Sequence, residues 1–161
     1  MITKFAEPHA TRILVVDDEV AVGAIVARIL EDVGYGVCLA FSGALALAAL
    51  ESSAYDFALA LSDIRMPGMS GIELAHKIQR GWPDLPILLM SGYESSTMLV
   101  QQGLGNIPLL RKPFGREELL AFVTAAFTPA QPSAVKPSAA LPSNPLQLPR
   151  IADRARRAAG E

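Results

Sequence analysis

Four apolar runs of this chain each lead into a small or charged polar residue, at Asp17-Asp18, Asp63, Ser91 and Lys112. The carboxyl ends of parallel strands lie at one edge of an open α/β sheet, and ligands bind at that edge. We therefore expect these side chains to meet there. Carboxylates, a hydroxyl and an ammonium together are suited to holding a divalent cation and a phosphoryl group.

Three acidic side chains, those of Asp17, Asp18 and Asp63, would converge at neighbouring strand ends. Two carboxylates about 4 Å apart repel each other by roughly 4 kcal/mol near a protein surface. Mg²⁺ removes this cost, because it binds one or two carboxylates and keeps several waters. The alternative is that Asp17-Asp18-Glu19 only caps the following helix, where acidic groups are favoured. A run of acids exceeds what capping needs, so the sequence favours a magnesium site.

Asp63 has a second possible role as a nucleophile toward a phosphoryl donor, which would give an aspartyl phosphate. Ser91 and Lys112 could hold phosphoryl oxygens, and the metal and the lysine would neutralise charge on the transferring group. The alternative for Lys112 is a solvated lysine at a strand end. Pro113-Phe114 restricts the turn after this lysine and favours the first interpretation.

Apolar runs alternate with segments of helical period, which is typical of βαβ units and a parallel sheet. The predicted strands are 13–16, 37–40, 57–62, 87–90 and 108–111, and the predicted helices are 19–32, 42–50, 71–80, 95–102 and 116–127. The first helix has its apolar stripe at Val22, Ile25, Val26, Ile29 and Leu30. The predicted fold class is α/β, a doubly wound sheet of five parallel strands with five helices.

Composition divides the chain into a short extension at 1–11, a folded body at 12–128 and a tail at 129–161. Six of the twelve prolines lie between Pro129 and Pro149, so this part is predicted to be an extended linker. The arginines from Arg150 to Arg157 could form a short basic helix. Up to Thr128 there are nine Lys and Arg against fourteen Asp and Glu, which argues against a sequence-independent nucleic-acid binder.

The sequence has no apolar run of the eighteen or more residues that a membrane span needs, and no secretory signal is recognisable at its start. Cys38 is the only cysteine, so the chain can form no internal disulfide. We expect a cytoplasmic protein that does not insert into membranes.

In these motifs the chain resembles the receiver domain of two-component response regulators, from about Arg12 to Phe127. The motifs are Asp17-Asp18, Asp63 followed by Met66-Pro67 and Gly71, Ser91-Gly92, and Lys112-Pro113-Phe114. The resemblance implies a flavodoxin-like sheet with strand order 2-1-3-4-5 and a cis bond between Lys112 and Pro113. It also implies that Asp63 is the phosphoacceptor, with Ser91 and Lys112 as its catalytic partners. Mg²⁺ would be held by Asp17, Asp18, Asp63 and the backbone carbonyl of Arg65.

One position departs from the family pattern. Members of the family usually have Tyr or Phe three residues before the lysine, whereas this chain has Leu109. Phosphorylation should survive this change, but a rotating aromatic ring cannot relay it. Arg65 and Tyr93 occupy positions that tune the lifetime of the phosphoryl group in the family, and a bulky Tyr93 could screen attacking water.

The resemblance implies a phosphorylation-dependent switch in a two-component phosphorelay that acts through protein contacts. The expected donor is a sensor histidine kinase or a histidine phosphotransfer protein. The expected output face is formed by the fourth helix, the fifth strand and the fifth helix, with no nucleic-acid partner. We expect no enzymatic activity beyond self-phosphorylation and slow autodephosphorylation.

Three alternatives remain open from the sequence. The chain could be the C-terminal receiver module of a hybrid histidine kinase, or a phosphorylation-independent scaffold. It could also be a phosphatase of the haloacid-dehalogenase type. That family places Asp-x-Asp after its first strand, whereas Asp17 and Asp18 are adjacent and position 19 is glutamate.

Overall fold

The computed structural model describes residues 11–52, 56–92 and 96–127. These residues form a five-stranded parallel sheet with strand order β2-β1-β3-β4-β5 and five helices, as predicted. The strands are β1 (Arg12–Val16), β2 (Gly36–Ala40), β3 (Phe57–Asp63), β4 (Ile87–Ser91) and β5 (Leu109–Arg111). The helices are α1 (Val20–Glu31), α2 (Gly43–Glu51), α3 (Gly71–Gly81), α4 (Ser96–Gln101) and α5 (Arg116–Phe127).

Each face of the sheet packs against its own layer of helices, because successive strand side chains point to opposite faces. On one face, Ile13 and Leu59 are fully buried with residues of α1 and α5. On the other, Leu14 and Ala60 are fully buried with residues of α2, α3 and α4. Such a doubly covered sheet explains why the strands read as continuous apolar runs.

Two strands extend one residue further at their carboxyl ends than predicted, and both of these added residues belong to the polar set. Asp63 is the last residue of β3, because it pairs with Met90 of β4. Ser91 is the last residue of β4, because it pairs with Arg111 of β5. The sheet ladder therefore fixes the backbone at both residues.

The other helix and strand ends lie within a few residues of the predicted ones. β5 begins at Leu109, since Pro108 has no amide N–H to give to a ladder. Gly34, with a φ of 98°, turns the chain after α1. The Ser42 side chain caps α2 by accepting a hydrogen bond from the Leu45 N–H at 3.2 Å.

Some predicted features fall outside the described residues. These are nearly all of the extension at 1–11, the tail at 129–161, the start of the fourth helix at Ser95, and Tyr93. Within the described parts of the chain, no helix combines the length and the apolarity that a bilayer crossing requires.

Candidate functional site

The candidate site lies at the carboxyl edge of four neighbouring strands. Asp17 directly follows β1, and Asp63 and Ser91 end β3 and β4. Lys112 follows β5, and its backbone N–H donates to the Ser91 carbonyl at 2.8 Å. The strand order places these four ends side by side.

Lys112 joins the two buried carboxylates of the site. Its Nζ donates to Asp17 Oδ2 at 2.9 Å and lies 2.7 Å from Asp63 Oδ1. The side chains of Asp17 and Asp63 are 1% and 9% exposed, whereas that of Lys112 is 24% exposed. One ammonium thus faces two carboxylates, and this leaves the cluster with a net negative charge.

The remaining oxygen of each carboxylate accepts a backbone hydrogen bond. Asp17 Oδ1 accepts from the Glu19 N–H at 2.9 Å, and Asp63 Oδ2 accepts from the Arg65 N–H at 2.8 Å. Each of these bonds spans two residues, so each acid is held by the loop that follows its own strand. Both carboxylates are therefore fixed in direction before any ligand arrives.

Burial raises the pKa of the Asp63 carboxyl above its ordinary value of 3.8, although the nearby Lys112 acts in the opposite direction. Burial alone would lower the pKa of the Lys112 ammonium. Its hydrogen bonds to Asp63 and Asp17, together with the negative charges of these carboxylates, outweigh burial and raise its pKa above 10.5. The lysine therefore stays charged at neutral pH, whereas the free energy of ionising Asp63 is higher than in water.

The first turn of α3 packs directly against the backbone of the acceptor strand. A Cβ atom on Gly71 would lie 2.1 Å from the Asp63 carbonyl oxygen, so only glycine fits there. The Gly71 N–H donates to the Ile64 carbonyl at 2.9 Å. Just before it, Ser70 and Glu73 form a reciprocal capping box that fixes the start of α3. Sequence reasoning named Gly71 in a motif but missed this contact.

The other predicted site residues lie around this cluster. Ser91 is buried at 1% exposure, and the side chains of Asp18 and Arg65 are exposed. Within residues 11–52, 56–92 and 96–127, no three His, Cys, Asp or Glu side chains are grouped so that they could hold a metal ion. The structure thus brings Asp17, Asp63 and Lys112 together, and the metal-binding roles stay predictions.

An apolar cavity of about 510 Å³ adjoins Lys112 and is lined by residues of α1 and of the β5–α5 loop, including Val22, Ile25, Pro113 and Phe114. Ile25, one of the apolar residues that recur at helical spacing along α1, is 61% exposed. The helix turns this residue toward the cavity and away from the core. The bond between Lys112 and Pro113 is cis, as the resemblance implied.

Leu109 lies on the face of the sheet that α4 covers. It is partly buried and packs against the cluster that contains Leu99, Leu104 and Ile107. An aliphatic side chain at this point gives a fixed apolar contact between β5 and the α4 layer.

Comparison with known proteins agrees with this geometry. The family model described as the response regulator receiver domain matches residues 13–124. The transcriptional regulatory protein FixJ of Bradyrhizobium diazoefficiens is 34% identical over 123 residues, which are 76% of this chain and 59% of that protein. The response regulator MprA of Mycobacterium tuberculosis is 37% identical over 140 residues, which are 86% of this chain and 60% of that protein. The chain therefore spans about 60% of the length of these curated relatives.

Solved structures give the same result. The chemotaxis response regulator CheY4 of Vibrio cholerae has a TM-score of 0.66 and 30% identity, over 73% of this chain and 99% of that chain. A CheY-like receiver domain protein of Methanospirillum hungatei JF-1 has a TM-score of 0.65 and 32% identity, over 73% of this chain and 93% of that chain. On its fold, the cluster at its sheet edge and these matches, the chain belongs to the response regulator receiver domain family of two-component systems.

Proposed function

We propose that this chain is a phosphorylation-dependent signalling switch that accepts a phosphoryl group on Asp63. The observation that carries the proposal is the Lys112 ammonium, which lies between the buried carboxylates of Asp17 and Asp63 at the carboxyl edge of the sheet. A fixed cation beside a buried carboxylate is suited to stabilising the charge of a transferring phosphoryl group. A buried salt bridge at a strand end would contribute little stability by itself, because burying charges often costs more free energy than the attraction between them provides.

In the proposed step, one oxygen of the Asp63 carboxylate attacks the phosphorus atom of a phosphodonor. A new O–P bond forms, and the bond between phosphorus and the leaving group breaks. The leaving group keeps the electron pair and takes up a proton. Lys112 stabilises the phosphoryl oxygens, and the Arg65 N–H, now bonded to Asp63 Oδ2, keeps the carboxylate in its direction.

The candidate ligands are all oxygen atoms, the type that magnesium prefers, and the carboxylates of Asp17 and Asp63 lie buried at one edge of the sheet. Asp17, Asp18, Asp63 and the Arg65 carbonyl would hold the ion. When bound, it supplies positive charge against the repulsion among the acids and the phosphoryl oxygens. Asp18, whose side chain is exposed beside Asp17, is available for this role.

We propose that the face formed by α4, β5 and α5 binds the downstream protein and responds to phosphorylation. Phosphorylation adds about two negative charges at the strand ends. Ser91 and Lys112 would then turn toward the new group. The Lys112 N–H is bonded to the Ser91 carbonyl, so the ends of β4 and β5 would move together. Leu109 packs against the α4 layer and would pass this change to Val100, which is 64% exposed on α4.

The phosphodonor is proposed to be a sensor histidine kinase or a histidine phosphotransfer protein, as membership of a two-component family implies. It must approach Asp63 from the open edge of the sheet. The apolar cavity beside Lys112, with Ile25 and Phe114 in its wall, offers a contact surface there. Exposed apolar side chains next to a reactive group are typical of a protein-binding surface.

The test is incubation of the whole chain with Mg²⁺ and acetyl phosphate, followed by intact-protein mass measurement. We expect a mass gain of one phosphoryl group that disappears in Asp63→Asn and when EDTA is present. The control is Asp56→Asn, which changes an exposed acid next to β3 and leaves the gain intact. An unmodified wild type, or an Asp63→Asn variant that gains the same mass, contradicts the proposal. Steady turnover of a small phosphoester would instead indicate a phosphatase.

A further inference from the structure

Ser62 carries a buried hydroxyl in a strand that is apolar up to this residue. It is 0% exposed, and it precedes the proposed acceptor in β3. It pairs with Val16 on one side and Leu89 on the other, which places it in the middle of the sheet. By alternation its side chain lies on the same face as Ala60. A hydroxyl in such a place is costly unless it makes a hydrogen bond.

The Ser62 hydroxyl makes its bond to the next residue, because Oγ donates to the Asp63 carbonyl at 2.9 Å. The same carbonyl oxygen is the atom that a Cβ on Gly71 would touch at 2.1 Å. The carbonyl therefore lies between the serine hydroxyl and the first turn of α3. The Ile64 N–H, at the other end of the same peptide group, donates to the Met90 carbonyl at 3.0 Å. Both ends of the peptide group after the acceptor are thus held.

The orientation of this peptide group decides where the following backbone lies. Arg65 follows Ile64 in the chain, and its N–H donates to Asp63 Oδ2 at 2.8 Å. The other oxygen, Asp63 Oδ1, faces Lys112 Nζ at 2.7 Å. If the peptide group rotated, the Arg65 N–H would move away from Oδ2, and the carboxylate could turn about its side-chain bonds.

We propose that Ser62 is a positioning residue, whose hydroxyl holds the peptide group after Asp63 so that the Arg65 N–H and Lys112 fix both oxygens of the acceptor carboxylate. This inference rests on the proposed phosphorylation of Asp63. Ser62 does not touch the phosphoryl group, and it acts through the backbone that follows the acceptor. Misplacement of a reacting group by about 1 Å costs up to roughly a hundredfold in rate.

The test compares Ser62→Ala, which removes only the hydroxyl, with Ser62→Thr, which keeps it. The first readout is the amide proton shift of Arg65 by NMR, without phosphodonor or Mg²⁺. We expect it to move in Ser62→Ala toward the value of a weaker hydrogen bond and to stay near the wild-type value in Ser62→Thr. The second readout is the rate of phosphorylation at one fixed concentration of acetyl phosphate and Mg²⁺. We expect it to fall roughly tenfold in Ser62→Ala and to recover in Ser62→Thr.

The matched control is Ser42→Ala, which removes another hydroxyl bonded to backbone, at the N-cap of α2 and away from the site. It should be phosphorylated at the wild-type rate. The inference is overturned if Ser62→Ala keeps both the wild-type rate and the Arg65 shift, if Ser62→Thr is as slow as Ser62→Ala, or if Ser42→Ala is equally slow. A wild type that takes up no phosphoryl group refutes the proposed function instead, and the Arg65 shift still tests the positioning by Ser62.

Discussion

Replacement of Gly71 by alanine tests how the acceptor is held. The added Cβ would lie 2.1 Å from the Asp63 carbonyl oxygen, while real Cβ contacts essentially never fall below 3.0 Å. Either the start of α3 or the end of β3 must therefore move by nearly an ångström. The ladder between Asp63 and Met90 and the capping box of Ser70 resist this movement on the two sides.

Overpacking of this kind costs about 1–3 kcal/mol of unfolding free energy. A displacement of the acceptor by about 1 Å would also lower the rate of phosphorylation by up to roughly a hundredfold. Urea denaturation measures the first effect. Intact mass as a function of time with acetyl phosphate and Mg²⁺ measures the second.

Gly81→Ala is the matched control, because Gly81 is the last residue of the same helix and its added Cβ would meet no packing neighbour within 4 Å beyond the adjoining chain. It should keep the wild-type rate and gain up to about 1 kcal/mol, since alanine favours a helix over glycine. A Gly71→Ala variant with wild-type stability and rate would show that the contact between α3 and the acceptor strand does not hold the carboxylate.

Three further predictions concern the charges and the surface of the site. Asp63→Asn should raise the unfolding free energy at pH 7 by roughly 1 kcal/mol, because it removes a buried charge and keeps polar contacts. The unfolding free energy of the wild type should approach that of the variant as the pH falls toward 3.8, because the pKa of Asp63 is raised in the folded state. A difference that urea titrations find to be independent of pH would contradict this. Lys112→Met should lower the unfolding free energy by roughly 3 kcal/mol at pH 7, because two carboxylates lose their partner. The pKa of the folded-state lysine lies above 10.5, so the stability that its charge contributes is complete below that pH and is lost as the pH rises through the folded-state pKa. If Lys112→Met lowered the unfolding free energy as much at alkaline pH, its effect would come from packing instead. Ile25→Glu should slow phosphorylation by a histidine phosphotransfer protein at least roughly tenfold and leave the rate with acetyl phosphate unchanged. The control Leu45→Glu, also at an exposed apolar residue, should change neither rate, and equal rates in all three proteins would exclude the cavity as the docking surface.

The sequence predicted those parts of the site that depend on strand ends. Asp17, Asp63 and Lys112 follow apolar runs, and the sheet geometry alone brings such ends together. The register that extends β3 to Asp63 could not be read from the sequence, because it depends on which residue of β4 lies opposite.

Contacts between segments that are distant in the chain could not be predicted from the sequence. Periodicity identified Ile25 as part of the apolar stripe of α1 but not its exposure, because an apolar stripe does not show how far the helix is rotated against the sheet. The sequence predicted that Lys112 meets the acids at the sheet edge, but it did not predict that the ammonium lies between Asp17 and Asp63, because this depends on where the side chain points. The sequence did not predict the hydrogen bond from Ser62, because no sequence motif marks a single serine that follows an apolar run.

The most direct measurement locates the phosphoryl group. The wild type is phosphorylated with acetyl phosphate and Mg²⁺ and reduced with borohydride, which converts an aspartyl phosphate to homoserine. Peptide mass spectrometry then identifies the changed residue. We predict homoserine at position 63 alone. Homoserine at Asp17, at Asp18 or at no position would contradict the assignment of Asp63 as the acceptor.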